Sequence, residues 1–332
     1  MDFSAKMWRN IPHVIHAAYK NDEINVFMVS FHVVVHTLAI VGIYNFRNAA
    51  SHTLIFTWVL SQISGLGITA GAHRLWSHKS YKAHVSVRIV LMLLNSMCNQ
   101  TSIYHWCRDH RTHHRHSETV ADPHDATRGF FYAHIGWLWL KKDPAVVRAG
   151  KVIDCSDLLE DPVVRFQRYL DPWFAQYMCF LFPMQVCVYG WGEDWTYAFL
   201  IAGCFRYLYC KHCTFLVNSA AHLYGDHPYD VMSYPAENPI VSFLAIGEGW
   251  HNWHHKYPYD YAASEFGISS QYNPTKLVID VLAAVGLVWD RKRATEAWTK
   301  GRERRDRNAV AGMALNKPLP RPWEDQNLNK VR

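Results

Sequence analysis

The chain contains His110-Arg-Thr-His113-His114 and His251-Asn-Trp-His254-His255, two histidine clusters with the same spacing. Side chains three and four residues apart lie on the same face of a helix, so each cluster predicts a helix that presents three imidazoles on one face. Imidazole suits zinc, copper, iron and nickel. Two such faces in one chain therefore predict a metal site that is surrounded from two sides.

Two further histidine motifs complete the pattern. His73 and His78 flank Arg-Leu-Trp-Ser and would fall about 140° apart on a helix, so they need a helix end or a turn to converge. His222 follows Asn218 in Asn218-Ser-Ala-Ala-His222. Eight or nine imidazoles exceed the four ligands of a closed zinc site, which favours two metal ions with an open position each. The isolated histidines are interpreted as scattered surface residues: His13, His16, His32, His36, His52 and His84.

Composition predicts a membrane base that carries a sizeable aqueous part. Of the 332 residues, 50% are hydrophobic and 21 are histidine, and the mean hydropathy is −0.15. The net charge is +6, but the basic residues form no stripe interleaved with aromatics, so we expect no nucleic-acid partner and favour an anionic substrate or membrane lipid. The eight cysteines indicate no disulfide framework, and Cys210-Lys-His-Cys213 is interpreted as packing.

Hydropathy predicts an all-α integral membrane protein with four transmembrane helices. The stretches long enough to cross a bilayer are residues 26–44, 53–72, 173–191 and 195–221. Residues 85–97 are apolar but short, so we expect an interfacial or buried helix there. Residues 73–172 and 222–295 are expected to form a cytosolic helical cap that holds a di-metal centre.

The charge distribution predicts the orientation. The short loops between paired spans carry one basic residue, Arg47, while nearly all other lysines and arginines lie on the opposite side. That side is cytosolic by the positive-inside rule, which makes both termini cytosolic. Residues 1–24 are expected to be a cytosolic N-terminal arm, 25–295 the folded domain, and 296–332 a basic, disordered tail.

The motifs HRLWSH, RDHRTHH and GEGWHNWHH resemble the three histidine boxes of the membrane fatty acyl-CoA desaturases. The surrounding stretches GITAGAHRLWSHKSYKA, HSETVADPHDATRGFFYAHIGW and LVNSAAHLYGDHPYD are similar too, and the resemblance runs from about residue 24 to 295. It is strongest to the animal stearoyl-CoA (delta-9) type and its insect relatives. The resemblance implies an oxygen-dependent oxidoreductase of the endoplasmic reticulum membrane that introduces a cis double bond into a long-chain saturated fatty acyl-CoA.

The resemblance also implies site residues. Two ferrous ions would be held by nine histidines and, through water, by Asn218; the histidines are His73, His78, His110, His113, His114, His222, His251, His254 and His255. The coenzyme A head would contact Arg108, Asp109, Lys141 and Lys142. The acyl tail would bend at Gln100, Trp106 and Thr214, and its tunnel would end at Ser61 and Gly65. Thr101 and Met28 stand where relatives carry asparagine, so the head-group geometry departs from the family pattern.

Acidic residues near the boxes are candidate acceptors for ligand N–H groups. They are Asp109, Glu118, Asp122, Asp125, Asp226, Glu237 and Glu248. His124 and His134 match histidines of relatives that are not ligands.

The electrons are expected to come from outside, because no haem or flavin motif is evident. The resemblance implies cytochrome b5 and its NADH-dependent reductase as partners. Basic residues near the end of the folded domain are candidates to steer an acidic donor or to contact anionic lipid. They are Arg291, Lys292, Arg293, Arg302, Arg304, Arg305 and Arg307.

Other functions are compatible with a histidine-rich membrane protein. A membrane di-iron hydroxylase, or a desaturase of another lipid such as a sphingoid base, is a close rival. A histidine-rich metal transporter would place its ligands near the bilayer midplane, whereas these boxes lie outside the predicted spans. A catalytically silent scaffold is disfavoured because all nine ligand positions are filled.

Overall fold

The computed structural model describes residues 23–310, with the side chains of 304–310 outside the description. The described part is mostly helical. In chain order the helices are α1 (Val26–Tyr44), α2 (Ser51–Ser77), α3 (Val85–Cys98), α4 (Ile103–His116), α5 (132–139), α6 (Pro144–Lys151), α7 (Ser156–Glu160), α8 (Pro162–Leu170), α9 (173–191), α10 (195–223), α11 (Pro239–Leu244), α12 (His251–Lys256), α13 (Pro274–Ala284) and α14 (Thr295–Val310), with a 3₁₀ turn at Ala126–Arg128 before α5. Strands β1 (Lys82–Ala83) and β2 (Val288–Trp289) form an antiparallel pair.

Two of these helices, α1 and α2, are long and apolar enough to cross a membrane. The outer face of α1 exposes large apolar side chains, including Phe27 at 76% and Ile40 at 66%, which a membrane would cover. Helices α9 and α10 coincide with the other two predicted spans but do not meet the same criterion of length and composition. The described residues therefore indicate a membrane protein, and four spans remain a prediction.

Helix α2 is longer than its predicted span, 53–72. It continues to Ser77 through wide π-helical turns over Gly67–Ser77, so His73 lies inside the helix and not beyond its end. Gly67 permits close packing against α3, because a Cβ there would lie 2.1 Å from the backbone nitrogen of Asn95. Helix α10 likewise continues to residue 223, which places His222 in its last turn.

A buried arginine in α10 ties the long helices together. The guanidinium of Arg206 donates to the carbonyl oxygens of Met97 in α3 (3.0 Å) and Cys179 in α9 (2.7 Å). It also donates to the Ser64 hydroxyl in α2 at 3.3 Å. Because a buried charge needs full hydrogen bonding, these contacts explain how α10 tolerates Arg206 in an apolar stretch.

The end of the described chain differs from the predicted disorder. Residues 295–310 form α14, and Trp298 packs against the rings of Tyr229 and Trp253, with centroid distances of 5.1 and 6.4 Å. The contact of this partly buried indole with the two rings stabilises a helix in a highly charged segment. Residues 311–332 of the predicted tail, and nearly all of the predicted N-terminal arm, lie outside the described residues.

Candidate metal centre

The nine predicted ligand histidines converge in two groups of ring nitrogens. The five-imidazole group is His73, His78, His110, His114 and His254. The four-imidazole group is His113, His222, His251 and His255. Within each group the ligand atoms all lie within 4.8 Å of one another, so each group has the dimensions of a metal site.

Each HxxHH helix contributes to both groups, in opposite ways. From α4, His110 and His114 enter the five-imidazole group and His113 enters the other. From α12, His251 and His255 enter the four-imidazole group, while His254 enters the first. Residues i and i+4 project about 40° apart on a helix, whereas i+3 projects about 60° to the other side of i. This angle explains why the first and last histidine of each motif share one group.

The His73–His78 pair converges by means of the π-helical end of α2. The His78 backbone N–H donates to the carbonyl oxygen of His73 at 3.1 Å, a bond that spans five residues. Five residues then make about one turn, so the two imidazoles stand on the same side with ring centroids 4.9 Å apart. The separation of 140° on a regular helix does not apply here.

The ring nitrogens that face each other fit a cation between them. Nε2 of His73 lies 2.9 Å from Nε2 of His254, and Nε2 of His251 lies 3.0 Å from Nε2 of His222. Burial, followed by the charges of neighbouring imidazoles, holds the pKa of His254 and His251 well below the usual range. Neutral imidazoles with converging lone pairs are the form that binds a metal.

Carboxylates stand behind three of these imidazoles. The Nδ1–O contacts are His73–Glu248 (2.8 Å), His113–Asp122 (2.9 Å) and His222–Glu118 (2.6 Å). A carboxylate that accepts from Nδ1–H leaves the Nε2 lone pair free and orients the ring. Three of the seven acidic candidates therefore contact a predicted ligand.

The other four acidic candidates have different positions. The side chain of Glu237 accepts a hydrogen bond from the backbone N–H of Trp253, a residue of α12, at 2.8 Å. Asp226 pairs with Glu237 through the backbone, Asp125 caps the turn at Thr127, and Asp109 bonds to Arg108 and Lys142. Burial raises the pKa of Glu237 to about 8, so this carboxyl is largely protonated at neutral pH.

Arg74 is a supporting residue that the sequence analysis missed. Its guanidinium is fully buried and donates to Glu248 Oε1 from two nitrogens, at 3.1 and 2.8 Å. Burial opposes ionisation of Glu248, but Arg74 and His73 together hold the pKa of this carboxyl below its usual range. The sequence position of Arg74, between the candidate ligands His73 and His78, could have indicated this supporting role.

His134 lies in a separate chain of side chains. Its Nδ1 is 3.0 Å from the hydroxyl of Ser219, and its Nε2 is 2.9 Å from Nδ1 of His212. His212 in turn lies 3.0 Å from His36, so His36 is a packed residue rather than a scattered one.

A cavity of about 350 Å³ leads from the protein surface to the imidazoles. Exposed Lys142 and its ion-pair partner Asp109 mark its outer end, whereas His110, from the five-imidazole group, and Asn218 mark the end at the imidazoles. All three predicted bend residues also line it: Gln100, Trp106 and Thr214. Gln100 donates to the Thr214 hydroxyl at 2.9 Å, which fixes this part of the wall. Arg108 and Lys141 are not among the residues that line this cavity in the described part of the chain.

A second cavity, of about 70 Å³, continues beyond the imidazoles. It shares Trp106, His110, Thr214 and Asn218 with the first and extends to Ser61 and Gly65. A third cavity of about 250 Å³ shares Ser61 and Tyr209 with the second. The three cavities form a succession of mainly apolar spaces that passes directly beside the candidate metal centre.

Comparison with known proteins agrees with this architecture. Residues 49–264 match the fatty acid desaturase family model. The chain is 47% identical over 281 residues to stearoyl-CoA desaturase 5 of Bos taurus, covering 85% of this chain and 82% of that protein. It is 46% identical over 297 residues to the acyl-CoA Delta(11) desaturase of Trichoplusia ni, covering 89% and 82%. It is 48% identical over 261 residues to the acyl-CoA Delta-9 desaturase of Acheta domesticus, covering 78% and 72%.

The molecule is thus a helical membrane protein with a histidine-rich candidate metal centre beside an apolar channel. The chain belongs to the fatty acid desaturase family. The resemblance inferred from the three histidine boxes is confirmed.

Proposed function

We propose that the protein is an acyl-CoA desaturase that introduces a cis double bond into a long-chain saturated acyl-CoA, using dioxygen and two electrons. The observation that carries this proposal is the channel that passes both imidazole groups. The stearoyl-CoA, Delta-9 and Delta(11) acyl-CoA activities in the names of its relatives favour the same substrate class. The test is expression in a desaturase-deficient yeast, with double-bond positions mapped in the lipids by mass spectrometry.

The outcomes of that experiment separate the rival functions. New monounsaturated fatty acids support the proposal. Hydroxylated fatty acids would favour a membrane hydroxylase, and unsaturated sphingoid bases with unchanged fatty acids would favour another lipid substrate. Metal transport without a new lipid product would favour a transporter.

We propose that iron occupies both imidazole groups. Nine imidazoles divided five and four fit two ions, and imidazole is a suitable ligand for iron. Bound iron would supply the activation of dioxygen that is needed to remove hydrogen from an unactivated methylene. Asn218 lines the channel beside the four-imidazole group and would reach its ion through water. Metal analysis of the purified protein tests this: about two iron per chain is expected, and one iron or a zinc-loaded active enzyme would contradict it.

The channel walls would hold the acyl chain dry and in one orientation. The shared segment at Trp106 and Thr214 lies beside the imidazoles, so a chain threaded from one cavity to the next must pass there. When one methylene pair is held at this place, the reacting groups are already correctly positioned, so the step proceeds as an effectively unimolecular reaction. Exclusion of water would also protect the reaction from side products.

The outer end of the first cavity is proposed to bind coenzyme A. Asp109 bonds both Arg108 and Lys142, which holds two cationic groups near the entrance, and Lys141 is adjacent. Phosphates favour such basic side chains. Lys142→Glu is expected to raise KM for acyl-CoA about 10-fold or more without moving the double bond, since hydrogen bonds to charged groups contribute roughly 1.5–3 kcal/mol. A moved double bond with unchanged KM would reject this assignment.

Ser61 and Gly65 are proposed to leave the far end of the channel open. Ser61 lines the second and third cavities, so a small side chain there connects the two spaces. Each further methylene buried beyond Ser61 would contribute roughly 0.8 kcal/mol. We therefore expect acceptance of chains of eighteen carbons or longer. Ser61→Tyr should shift preference to shorter chains in a competition assay, and an unchanged preference would refute the proposal.

We further propose four membrane spans, both termini in the cytosol, and residence in the endoplasmic reticulum with cytochrome b5 and its NADH-dependent reductase. Arg291 and Arg293 bond Asp280 and Asp260, which reduces their free charge, whereas Arg302 is exposed. Among the described side chains, Arg302 is therefore the better docking candidate. A glycosylation acceptor near Asn48 should be modified and one near Gly301 should not. The reverse pattern would reject the orientation.

A further inference from the structure

A lysine lies buried in the wall of the first cavity without a carboxylate partner. The side chain of Lys211 in α10 is 6% exposed and lines the cavity that also reaches Lys142 and His110. Among the described residues no carboxylate oxygen lies within 4.0 Å of its ammonium. A buried charge is unfavourable unless it is paired, so a buried lysine at this position indicates a functional role.

The partners of Lys211 leave part of its hydrogen-bonding capacity unused. The ammonium donates to the hydroxyl of Tyr207 at 2.6 Å. It also lies 5.0 Å from the Tyr207 ring centroid and 5.7 Å from that of Phe215. An ammonium has three N–H donors, and the aromatic faces offset only part of the lost hydration. Acidic residues Asp109 and Asp171 line the same cavity but form no ion pair with Lys211.

The place of Lys211 along the channel suggests what it binds. Seven residues of helix α10 separate Lys211 from Asn218, which corresponds to about 10 Å along the axis. Asn218 lies beside the metal centre, and Asp109 and Lys142 lie at the entrance. About half of an extended long acyl chain covers the distance from Lys211 to the centre. A substrate with its coenzyme A at the entrance and its mid-chain at the imidazoles therefore places its thioester near Lys211.

We propose that Lys211 is a positioning residue that donates a hydrogen bond to the carbonyl oxygen of the substrate's thioester. This inference rests on the proposed acyl-CoA desaturase function and adds a fixed point for the substrate. Thr214 and Trp106 shape the chain near the imidazoles, whereas Lys211 holds its first carbon. The bond sets how many methylenes separate the thioester from the metal centre, and so contributes to the position of the double bond.

The test compares stearoyl-CoA with a thioether analogue in which a methylene replaces the thioester carbonyl. Dissociation constants are measured for wild type, Lys211→Met and the exposed control Lys82→Met, all loaded with iron. Wild type and the control are expected to bind the thioester about 10- to 100-fold more tightly than the thioether, because a buried charged donor loses its acceptor. Lys211→Met is expected to bind both within about 2-fold, and to give products with double bonds at neighbouring positions.

Tyr207→Phe separates substrate binding from a structural role of the lysine. It removes the hydroxyl that contacts the ammonium but retains the charge, so the preference for the thioester should persist. If Lys211 served only to bond Tyr207, the two variants would behave alike, and the proposal would be overturned. Should Lys211→Met fail to fold, wild type alone remains decisive, since equal affinity for the two ligands contradicts the proposal. A wild type that does not desaturate acyl-CoA would instead overturn the proposed function.

Discussion

The five-imidazole group and the four-imidazole group use the same two helices but differ in their surroundings. In the first, His73 is backed by Glu248, which is itself held by buried Arg74. In the second, two carboxylates back two of the four imidazoles, and the side chain of Asn218 lies at the channel wall nearby. The first group thus has more imidazoles, whereas the second has more contacts between imidazoles and carboxylates. An ion bound by the four-imidazole group would therefore keep the more open coordination position.

Loss of a ligand should be equally severe in both groups, because the proposed reaction needs an ion in each group. His254→Ala removes a nitrogen from the five-imidazole group, and His113→Ala removes one from the four-imidazole group. Each variant is expected to lose desaturation entirely while still inserting in membranes, as measured by product analysis on membranes with matched protein levels. Near-normal product from either variant would reject its place among the ligands.

The supporting carboxylates should distinguish the two groups. Glu118→Gln and Glu248→Gln keep the side-chain shape but remove the charge behind His222 and His73. Each should lower activity or metal affinity by about 10- to 100-fold. Glu248→Gln should also destabilise the fold, because it leaves the charge of Arg74 buried without its partner, at roughly 3–5 kcal/mol. Equal thermal stability of the two variants would contradict this difference.

Asn218 should matter to the four-imidazole group alone. Asn218→Ala removes a polar group at the channel wall. We expect a loss of activity of about 10-fold, which is the lower end of the range for residues that support a metal site without being direct ligands. The bound iron should remain close to the wild-type level. Ser219→Ala is a suitable control, since Ser219 bonds His134 and lies outside both groups. A control that loses as much activity as Asn218→Ala would show that the effect is not specific.

Glu237 supports α12, which serves both groups, so its effect should appear in stability. Its carboxyl has a pKa of about 8 in the folded protein because of burial, against an ordinary value of 4.5. Between these values the folded state holds a proton that the unfolded state has released, so stability falls as pH rises through this window. Glu237→Gln removes the effect and should melt a few degrees above wild type at pH 8, with a smaller difference at pH 5. A difference that is larger at pH 5 would contradict the assignment.

The sequence predicted which histidines converge but not how they divide. The i, i+3 and i+4 spacing indicated a shared helix face. The placement of α4 relative to α12 determines that His113 and His254 each lie in a different group from the other two histidines of their motif. The convergence of His73 and His78 depends on π-helical turns, which residue spacing does not specify. The role of Arg74 was missed for the same reason, since it depends on burial among segments that are distant in sequence.

The boundaries of the long helices were predicted closely where apolar runs end at polar residues. Residues 173–191 form a continuous helical segment with the predicted bounds. The prediction was less accurate where tertiary contacts extend a helix, as at Ser77 and in α14. Trp298 shows the reason, because its partly buried indole packs against Tyr229 and Trp253, and composition alone does not reveal these contacts.

The activity proposed for this protein is desaturation of an acyl-CoA at metal ions held by the two imidazole groups. The most direct measurement supplies iron-loaded wild type with stearoyl-CoA, dioxygen and an electron donor, and identifies the product by mass spectrometry. We predict a single monounsaturated acyl-CoA, formed only with dioxygen and absent with His254→Ala. A hydroxylated product, or unchanged substrate from a fully iron-loaded and correctly folded protein, would contradict the proposed desaturase activity.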